Sequence, residues 1–196
     1  MLTTTDAIVL ALQPHSDKAH ILHAYTRTGG RVNFMVYGLG RKHAAGIYTP
    51  LSLIQLTADH DASGPLTVRS AQLAFTPRTI ADDPYKRTIA LFLSEVLYHT
   101  LRHPMPDEEM FDFIAEAVPL LDRDNNPGNF HLQFLISFAA KLGFAIDPEQ
   151  HPELYTLPAS RAQRQTQLRK MCAYFAEQVD TWTEPRSLEV LTEIFD

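Results

Sequence analysis

Three glycines and three basic side chains lie together in residues 38–46, the segment Gly-Leu-Gly-Arg-Lys-His-Ala-Ala-Gly. Glycine lets a backbone approach a ligand closely, and Arg41, Lys42 and His43 carry donors that suit phosphate oxygens. The segment is not a P-loop, because it lacks the Gly-x-x-x-x-Gly-Lys-Ser/Thr pattern, and it is not a dinucleotide fingerprint, because the third glycine and following helix are missing. It predicts either a phosphate-binding loop or a solvated hairpin loop.

More basic side chains occur on the same part of the chain, with aromatic residues between them. Lys18, Arg27 and Arg31 lie near the ends of predicted strands, and Arg69 lies on another strand. Because aromatic residues at alternating strand positions are more often core, Phe34 is predicted to be core, with Tyr37 and Tyr48 as candidates for base stacking. The predicted nucleic-acid-binding residues are Lys18, Arg27, Arg31, Tyr37, Arg41, Lys42 and Arg69.

The distribution of charge supports this hypothesis. The whole chain has a net charge of −6, but residues 1–78 carry +3 and residues 79–196 carry −9. A small basic module joined to an acidic body favours a polyanionic partner at one defined face.

Other kinds of chemistry find little support. His99 and His103 have the spacing of a zinc-binding helix face, but they lack the adjoining glutamate and a third ligand, so no metal site is predicted. Cys172 lies among apolar residues and is expected to be a packed thiol. No Gly-x-Ser-x-Gly motif is present. We therefore predict no catalytic residues, no cofactor and no enzymatic activity.

The elements that would position these residues change character near residue 80. Residues 5–12, 21–26, 32–37, 51–58 and 66–73 are predicted to be strands, the first ending at Gln13-Pro14, and five short strands with such turns suggest a small closed barrel. From Asp82 onward the apolar period becomes 3.6, which indicates helices. The predicted fold class is α+β, with a barrel domain at residues 1–78 and an all-α helical bundle at 79–196.

The helix boundaries are marked by capping residues. Asp83 and Asp107 are predicted N-caps, Gly143 is a predicted helix stop, and a further helix is expected from Ser160 to Val179. Residues 144–160 are rich in Pro, Glu and His and are predicted to be a loop. The sequence shows no signal peptide or membrane span, so a cytosolic protein is expected.

The order of these residues resembles the RecO family of bacterial recombination mediators, and most of all its Bacteroidetes-type members. The matching segments are 16–26, 30–32, 36–38 with Arg41-Lys42, 49–53, 90–97, 129–135, 142–144 and 187–191. The resemblance implies an OB-fold barrel followed by a helical domain, and a protein that binds single- and double-stranded DNA and anneals strands. It further implies that the protein acts with RecR to load RecA onto gaps, and that the tail of the single-strand-binding protein docks on the helical domain. The location would be cytoplasmic, associated with the nucleoid.

This chain departs from the family pattern in two ways. Many members carry a cysteine zinc module, which a chain with Cys172 alone cannot form, and residues 144–160 are shorter than expected by some tens of residues. Candidate cations for the docking tail are Arg102, Lys141, Arg161 and Arg164. Two other hypotheses stay open at this stage: an interaction adaptor with little DNA binding, and an RNA-binding barrel.

Overall fold

The computed structural model describes residues 2–39, 44–59 and 64–193. The strands are β1 (Leu2–Ser16), β2 (Ala19–Thr26), β3 (Gly30–Tyr37), β4 (Leu53–Asp59) and β5 (Thr67–Leu73). The helices are α1 (Ala44–Ile47), α2 (Pro84–Thr100), α3 (Glu108–Arg123), α4 (Phe130–Lys141), α5 (Pro152–Tyr155), α6 (Arg161–Gln178) and α7 (Ser187–Glu193), with a 3₁₀ turn at Pro127–Asn129 before α4.

The five strands close into a barrel in the order β1-β2-β3-β5-β4. All neighbouring pairs are antiparallel except β3 and β5, which meet in parallel at Met35 and Thr67. A closed five-stranded barrel followed by helices confirms the predicted α+β class and the OB-fold expectation.

Strand β1 is longer than predicted, because it continues through Pro14 to Ser16. Beyond Val9, whose backbone still bonds to Leu51 and Ser52, it pairs with β2 alone, and the register shifts between Pro14 and Ser16. Proline cannot donate to a ladder, but it is tolerated at a free strand edge and beside a bulge. The prediction that Gln13-Pro14 ends the strand was therefore wrong.

Side chains of β1 alternate between two cores. Ala7 and Val9 face the barrel interior with residues such as Phe34, whereas Ile8 and Leu10 pack with the helices. The prediction that Phe34 is core is confirmed, and Val32 and Val36 of the same strand pack in the barrel core with it. The remaining members of that core include Leu22, Ala24, Tyr48, Ile54, Leu56 and Ala58.

The helices begin and end where their capping residues predict. The Asp83 carboxylate accepts from the N–H groups of Tyr85 and Lys86, and the Asp107 carboxylate accepts from that of Met110. Ser160 forms a capping box at the start of α6, and Gly143 has a φ of +89° just after α4. Residues 144–160 are mostly loop, as expected, but they contain the short helix α5. Across the described part of the chain, no helix is long and apolar enough to cross a bilayer.

The link between barrel and helices is held by one buried carboxylate. Asp122 near the end of α3 accepts hydrogen bonds from the backbone N–H groups of Arg78, Thr79 and Ile80 at 2.8–3.0 Å. The Lys86 ammonium donates to the Asp122 carbonyl oxygen and to the Thr79 hydroxyl, both at 2.7 Å. Three parts of the chain, 78–80, α2 and α3, therefore meet at a single residue, Asp122.

A second contact joins the β2–β3 turn to the segment after α2. Gly30 has a φ of +61°, and a Cβ added there would lie 2.1 Å from the Met105 carbonyl oxygen. Next to it, the Arg31 N–H donates to the His103 carbonyl oxygen at 3.2 Å. A side chain at residue 30 would thus push this backbone segment away from the barrel.

We expect Gly30→Ala to lower the free energy of unfolding by more than about 2 kcal/mol, because a left-handed backbone and a backbone clash act together. Gly38→Ala is the matched control: Gly38 has a φ of +73°, but no atom lies within 4 Å of its added Cβ. This control should lose only about 1 kcal/mol. Urea unfolding of both variants measures the difference, and equal losses would contradict the clash.

Asp122 should make stability fall in acid. Burial raises the pKa of its carboxyl, but the N–H donors of Arg78, Thr79 and Ile80 outweigh burial and hold the pKa at about 2. Because this pKa is depressed in the folded state, the stabilisation is present above the unfolded value of 3.8 and is lost as pH falls toward 2. The free energies of unfolding of wild type and Asp122→Asn, measured in urea from about pH 6 to about pH 2, should converge as the pH falls. A constant gap would contradict this account.

Candidate nucleic-acid interface

A surface depression of about 770 Å³ lies where the β1–β2 turn meets the end of β3. Its lining residues are Leu12, Asp17, Lys18, His20, Tyr37, Gly38 and Leu39. The pairing of Ala19 with Tyr37 across β2 and β3 brings the turn that carries Lys18 beside the end of β3. Two residues of the predicted site, Lys18 and Tyr37, are therefore neighbours.

Tyr37 is the exposed aromatic residue of this depression, with 57% of its surface accessible. It is the last residue of β3, where alternation directs it away from the barrel core that holds Phe34 and Val36. Gly38 follows with a φ of +73°, which turns the chain away from the strand. An exposed ring beside a cation can stack on a base while the cation binds a phosphate.

Arg41 and Lys42 lie outside the described residues, as does His43 of the same basic segment. In sequence they follow the lining residues Gly38 and Leu39 directly. Their assignment to the site stays a prediction.

Arg69 lies on the same side of the barrel as Tyr37. Strands β3 and β5 are parallel and meet at Met35 and Thr67. Tyr37 and Arg69 each lie two residues further along their strands. The Arg69 guanidinium is exposed and pairs with Asp59 at 3.1 Å. A phosphate would have to compete with that carboxylate, although exposed ion pairs of this kind are weak.

Arg27, by contrast, bridges the barrel to the helices. Its guanidinium contacts the Asp112 carboxylate at 2.5 Å and lies 4.5 Å from the ring centroid of Phe111, both on α3. The hydrogen bond and charge of Asp112 raise the pKa of Arg27, with Asp6 adding to the effect. In this arrangement the side chain is already occupied by a carboxylate.

Arg31 also faces the helices. Its guanidinium lies 4.2 Å from the ring centroid of Tyr98 on α2 and donates to the Tyr98 carbonyl oxygen at 3.1 Å. The structure thus brings together Lys18 and Tyr37, places Arg69 on their side, and sets Arg27 and Arg31 against the helical body.

The other candidates of the sequence are buried. Phe34 is 4% exposed, as predicted, but Tyr48 is 8% exposed and belongs to the barrel core, so the suggestion that it stacks on bases was wrong. Cys172 is packed, and burial raises the pKa of its thiol to about 12. Within residues 2–39, 44–59 and 64–193, no three His, Cys, Asp or Glu side chains are grouped to hold a metal ion.

Of the positive groups suggested for tail docking, Arg102 is exposed, whereas Lys141 pairs with Glu109 at 3.7 Å. Arg161 donates to the carbonyl oxygen of Thr192 at the end of the chain, and Arg164 lies beside Gly128. These four residues are divided among several elements of the helical body, which leaves the docking hypothesis untested.

Sequence reasoning missed Tyr98. Its ring contacts His23 and His99 edge-on, with centroids 5.2 Å apart in each case, and carries Arg31 on its face. The available signal was an aromatic residue directly after the apolar stripe of α2, within a run containing His99 and Arg102. The depression thus combines Lys18, whose ammonium suits phosphate oxygens, with the exposed ring of Tyr37, which suits stacking.

We expect Arg27→Ala to lower the stability of the fold and Lys18→Ala to weaken the binding of DNA. Loss of the Arg27 contacts should cost about 1 kcal/mol of unfolding free energy, because the ion pair is partly exposed and the ring contact adds a similar small amount. Lys18→Ala should leave stability unchanged and weaken binding of single-stranded DNA. Urea unfolding and fluorescence anisotropy measure the two effects, and a double-mutant cycle with Asp112→Ala isolates the pair. A DNA defect in Arg27→Ala equal to that of Lys18→Ala would show that Arg27 contacts the strand directly.

Comparison with known proteins agrees with this architecture. Residues 1–76 match the family described as Recombination protein O N terminal, and residues 81–159 match Recombination protein O C terminal. The chain is 35% identical to a DNA repair protein RecO of Phocaeicola vulgatus over 78% of its own length, and 32% identical to one of Porphyromonas gingivalis over 75%. It spans 66% and 63% of the lengths of these two relatives.

A DNA repair protein RecO of Flavobacterium johnsoniae matches over the full length of both chains at 27% identity. That alignment has 236 positions against the 196 residues of this chain, a difference of 40. The size of the difference agrees with the expectation that the chain lacks some tens of residues found in its relatives.

Proposed function

Because the chain belongs to the RecO family, we propose that it is a non-enzymatic protein of recombinational DNA repair that binds single-stranded DNA on its barrel. The observation that carries the proposal is the position of Tyr37 and Lys18. Lys18 lies in the β1–β2 turn and Tyr37 at the end of β3, and such barrels hold oligonucleotides with this turn and the face of their second and third strands. Repair is also the role that the names of the relatives give.

The proposed phosphate contacts are Lys18, Arg41, Lys42 and Arg69, with Tyr37 stacking on a base. Arg27 and Arg31 would act indirectly, by holding the barrel against the helices. Each cation that neutralises a phosphate releases counterions, so binding should weaken steeply as salt rises. The acidic body, with −9 over residues 79–196, would repel the strand from those helical surfaces that carry no exposed cation.

Binding of this kind supports strand annealing. A barrel that contacts backbone and one base face leaves the pairing edges of other bases available to a complementary strand. We therefore propose that the protein anneals complementary strands, also binds duplex DNA through its phosphates, and acts with RecR to load RecA at gaps. Docking of the single-strand-binding protein's tail on the helical body belongs to the same proposal.

Arg41→Ala/Lys42→Ala should weaken binding of a labelled single strand of about 30 nucleotides. The salt slope, which is the slope of the logarithm of the binding constant against the logarithm of salt concentration, should become smaller in magnitude by about 1.4, because two phosphate contacts worth about 0.7 each are lost. Arg123→Ala/Arg169→Ala is the matched control, since it removes two positive charges from α3 and α6 and should leave the slope unchanged. Fluorescence anisotropy at several salt concentrations measures both. An unchanged slope in the Arg41/Lys42 variant would place the site elsewhere. No binding by the wild type, even at low salt, would contradict the proposed function and favour an adaptor.

A further inference from the structure

A cluster of positive side chains lies at the seam between barrel and helices, away from the depression at Tyr37. We call Arg31, Tyr98, His99, Arg102 and Arg186 the seam cluster. Arg31 comes from β3, Tyr98 and His99 from the last turn of α2, Arg102 from the segment after α2, and Arg186 directly precedes α7. Four separate parts of the fold therefore supply its members.

Hydrogen bonds hold these parts together. Arg31 donates to the Tyr98 carbonyl oxygen at 3.1 Å. The Glu95 carboxylate accepts from the backbone N–H and the hydroxyl of Ser187 at 2.9 and 2.6 Å, which holds the residue after Arg186 against α2. Glu95 and His99 are one helical turn apart and so lie on the same face of α2.

The cluster has more positive charge than its surroundings neutralise. Arg31 is partly buried, yet within the described chain no carboxylate pairs with it, or with Arg102 or Arg186. Glu95, whose charge acts on His99, accepts hydrogen bonds from Ser187. Buried charges are normally paired, because desolvation without a counter-charge is costly. An arrangement of this kind favours an anion supplied from outside.

The pKa directions agree with a surplus of positive charge. Burial lowers the pKa of His99, and the charge of Arg102 lowers it further, while Glu95 acts in the opposite sense. Burial also lowers the pKa of Arg31, where contact with Tyr98 opposes the effect and Arg102 adds to it.

Strand β3 connects the seam cluster to the candidate DNA face. Residues 31, 33, 35 and 37 of β3 alternate with the core residues Phe34 and Val36, so Arg31 and Tyr37 lie on the same outward side of the barrel. They are six positions apart along the strand, which is about 20 Å. Between them, Oδ1 of the exposed Asn33 accepts from His23 Nδ1 at 2.7 Å across β2 and β3.

We propose that the seam cluster is a second backbone-phosphate site for the strand bound at Lys18 and Tyr37, with Arg102 and Arg186 making the contacts. The inference rests on the proposed function, since it extends the path of the same strand. Exposed Arg102 and Arg186 meet the phosphate, while Arg31 adds charge from below and holds Tyr98. The strand thus crosses from the barrel onto the helical body and gains a fixed direction along β3.

A nucleic-acid strand fits this position better than an acidic peptide. The cluster lies at one end of a face whose other end carries an exposed stacking ring beside a cation, and a base-bearing polyanion uses both features. An acidic peptide would use the arginines and leave Tyr37 without a role.

The test is Arg102→Ala/Arg186→Ala, compared with Arg123→Ala/Arg169→Ala as the control of equal charge. Single strands from about 4 to about 30 nucleotides are titrated by fluorescence anisotropy at several salt concentrations. We expect the seam variant to bind the shortest strand like wild type and the longest roughly tenfold more weakly, with a salt slope smaller by about 1.4. Arg102→Lys/Arg186→Lys should restore most of the slope. All substituted side chains are exposed, and thermal unfolding checks that the fold is retained.

Each contrary result has its own meaning. If wild type binds and Lys18→Ala weakens binding but the seam variant matches the control at every length, the inference is wrong and the proposed function stands. If no strand binds to wild type, both are wrong. Stabilisation of wild type alone by inorganic phosphate, without a length effect, would show a small-anion site and overturn the inference. Binding of a glutamate- and aspartate-rich peptide that the seam variant loses, with DNA unaffected, would also overturn it.

Discussion

The structure depends on the first strand, whose middle residues 7–10 are buried on both faces. Ala7 and Val9 complete the barrel interior, while Ile8 and Leu10 enter the core formed by α2, α3, α4, α6 and α7. Strand β1 can close the barrel and dock the helices only if alternate residues satisfy both environments, so a shift by one residue would reverse every side chain. The helical core joined in this way contains a series of stacked rings, Phe113, Phe134, Phe138 and Phe175. Aromatic packing of this kind stabilises the body of a chain that has no cysteine pair for a zinc module.

The positive side chains of the barrel are divided between two tasks, although their sequence positions look alike. Arg27 and Arg31 lie at the end of β2 and the start of β3, which contact the helices, and there they meet Asp112, Phe111 and Tyr98. Lys18 lies at the opposite end of the same strands and faces solvent. Distance along a strand, rather than charge, therefore decides which cation stabilises the fold and which stays available to a ligand.

Much of the fold could be predicted because its signals are local. Asp83, Asp107 and Ser160 cap their helices through contacts within three residues, and the period of two in β3 requires no knowledge of its neighbours. What failed depended on distant partners. Pro14 can remain in β1 because β4 pairs with β1 only as far as Ile8, so no hydrogen bond to β4 is lost at residue 14. Tyr48 is buried because the barrel closes over it. The candidate site shows the same division. The exposure of Tyr37 could be predicted because it follows from local alternation, whereas the contact of Arg27 with Asp112 could not, because these residues are 85 positions apart.

The carboxylate of Asp122 has a mechanical consequence. A link between two folded parts usually acts as a hinge, because its backbone N–H groups can exchange partners with water as it bends. Here three consecutive N–H groups are committed to one buried acceptor, and Lys86 clamps the same point from α2. The segment between barrel and helices is therefore a rigid connection. A force that rotates the barrel would rotate the helical body with it. A force on a ligand bound to the barrel would therefore change the orientation of any partner bound to the helical body.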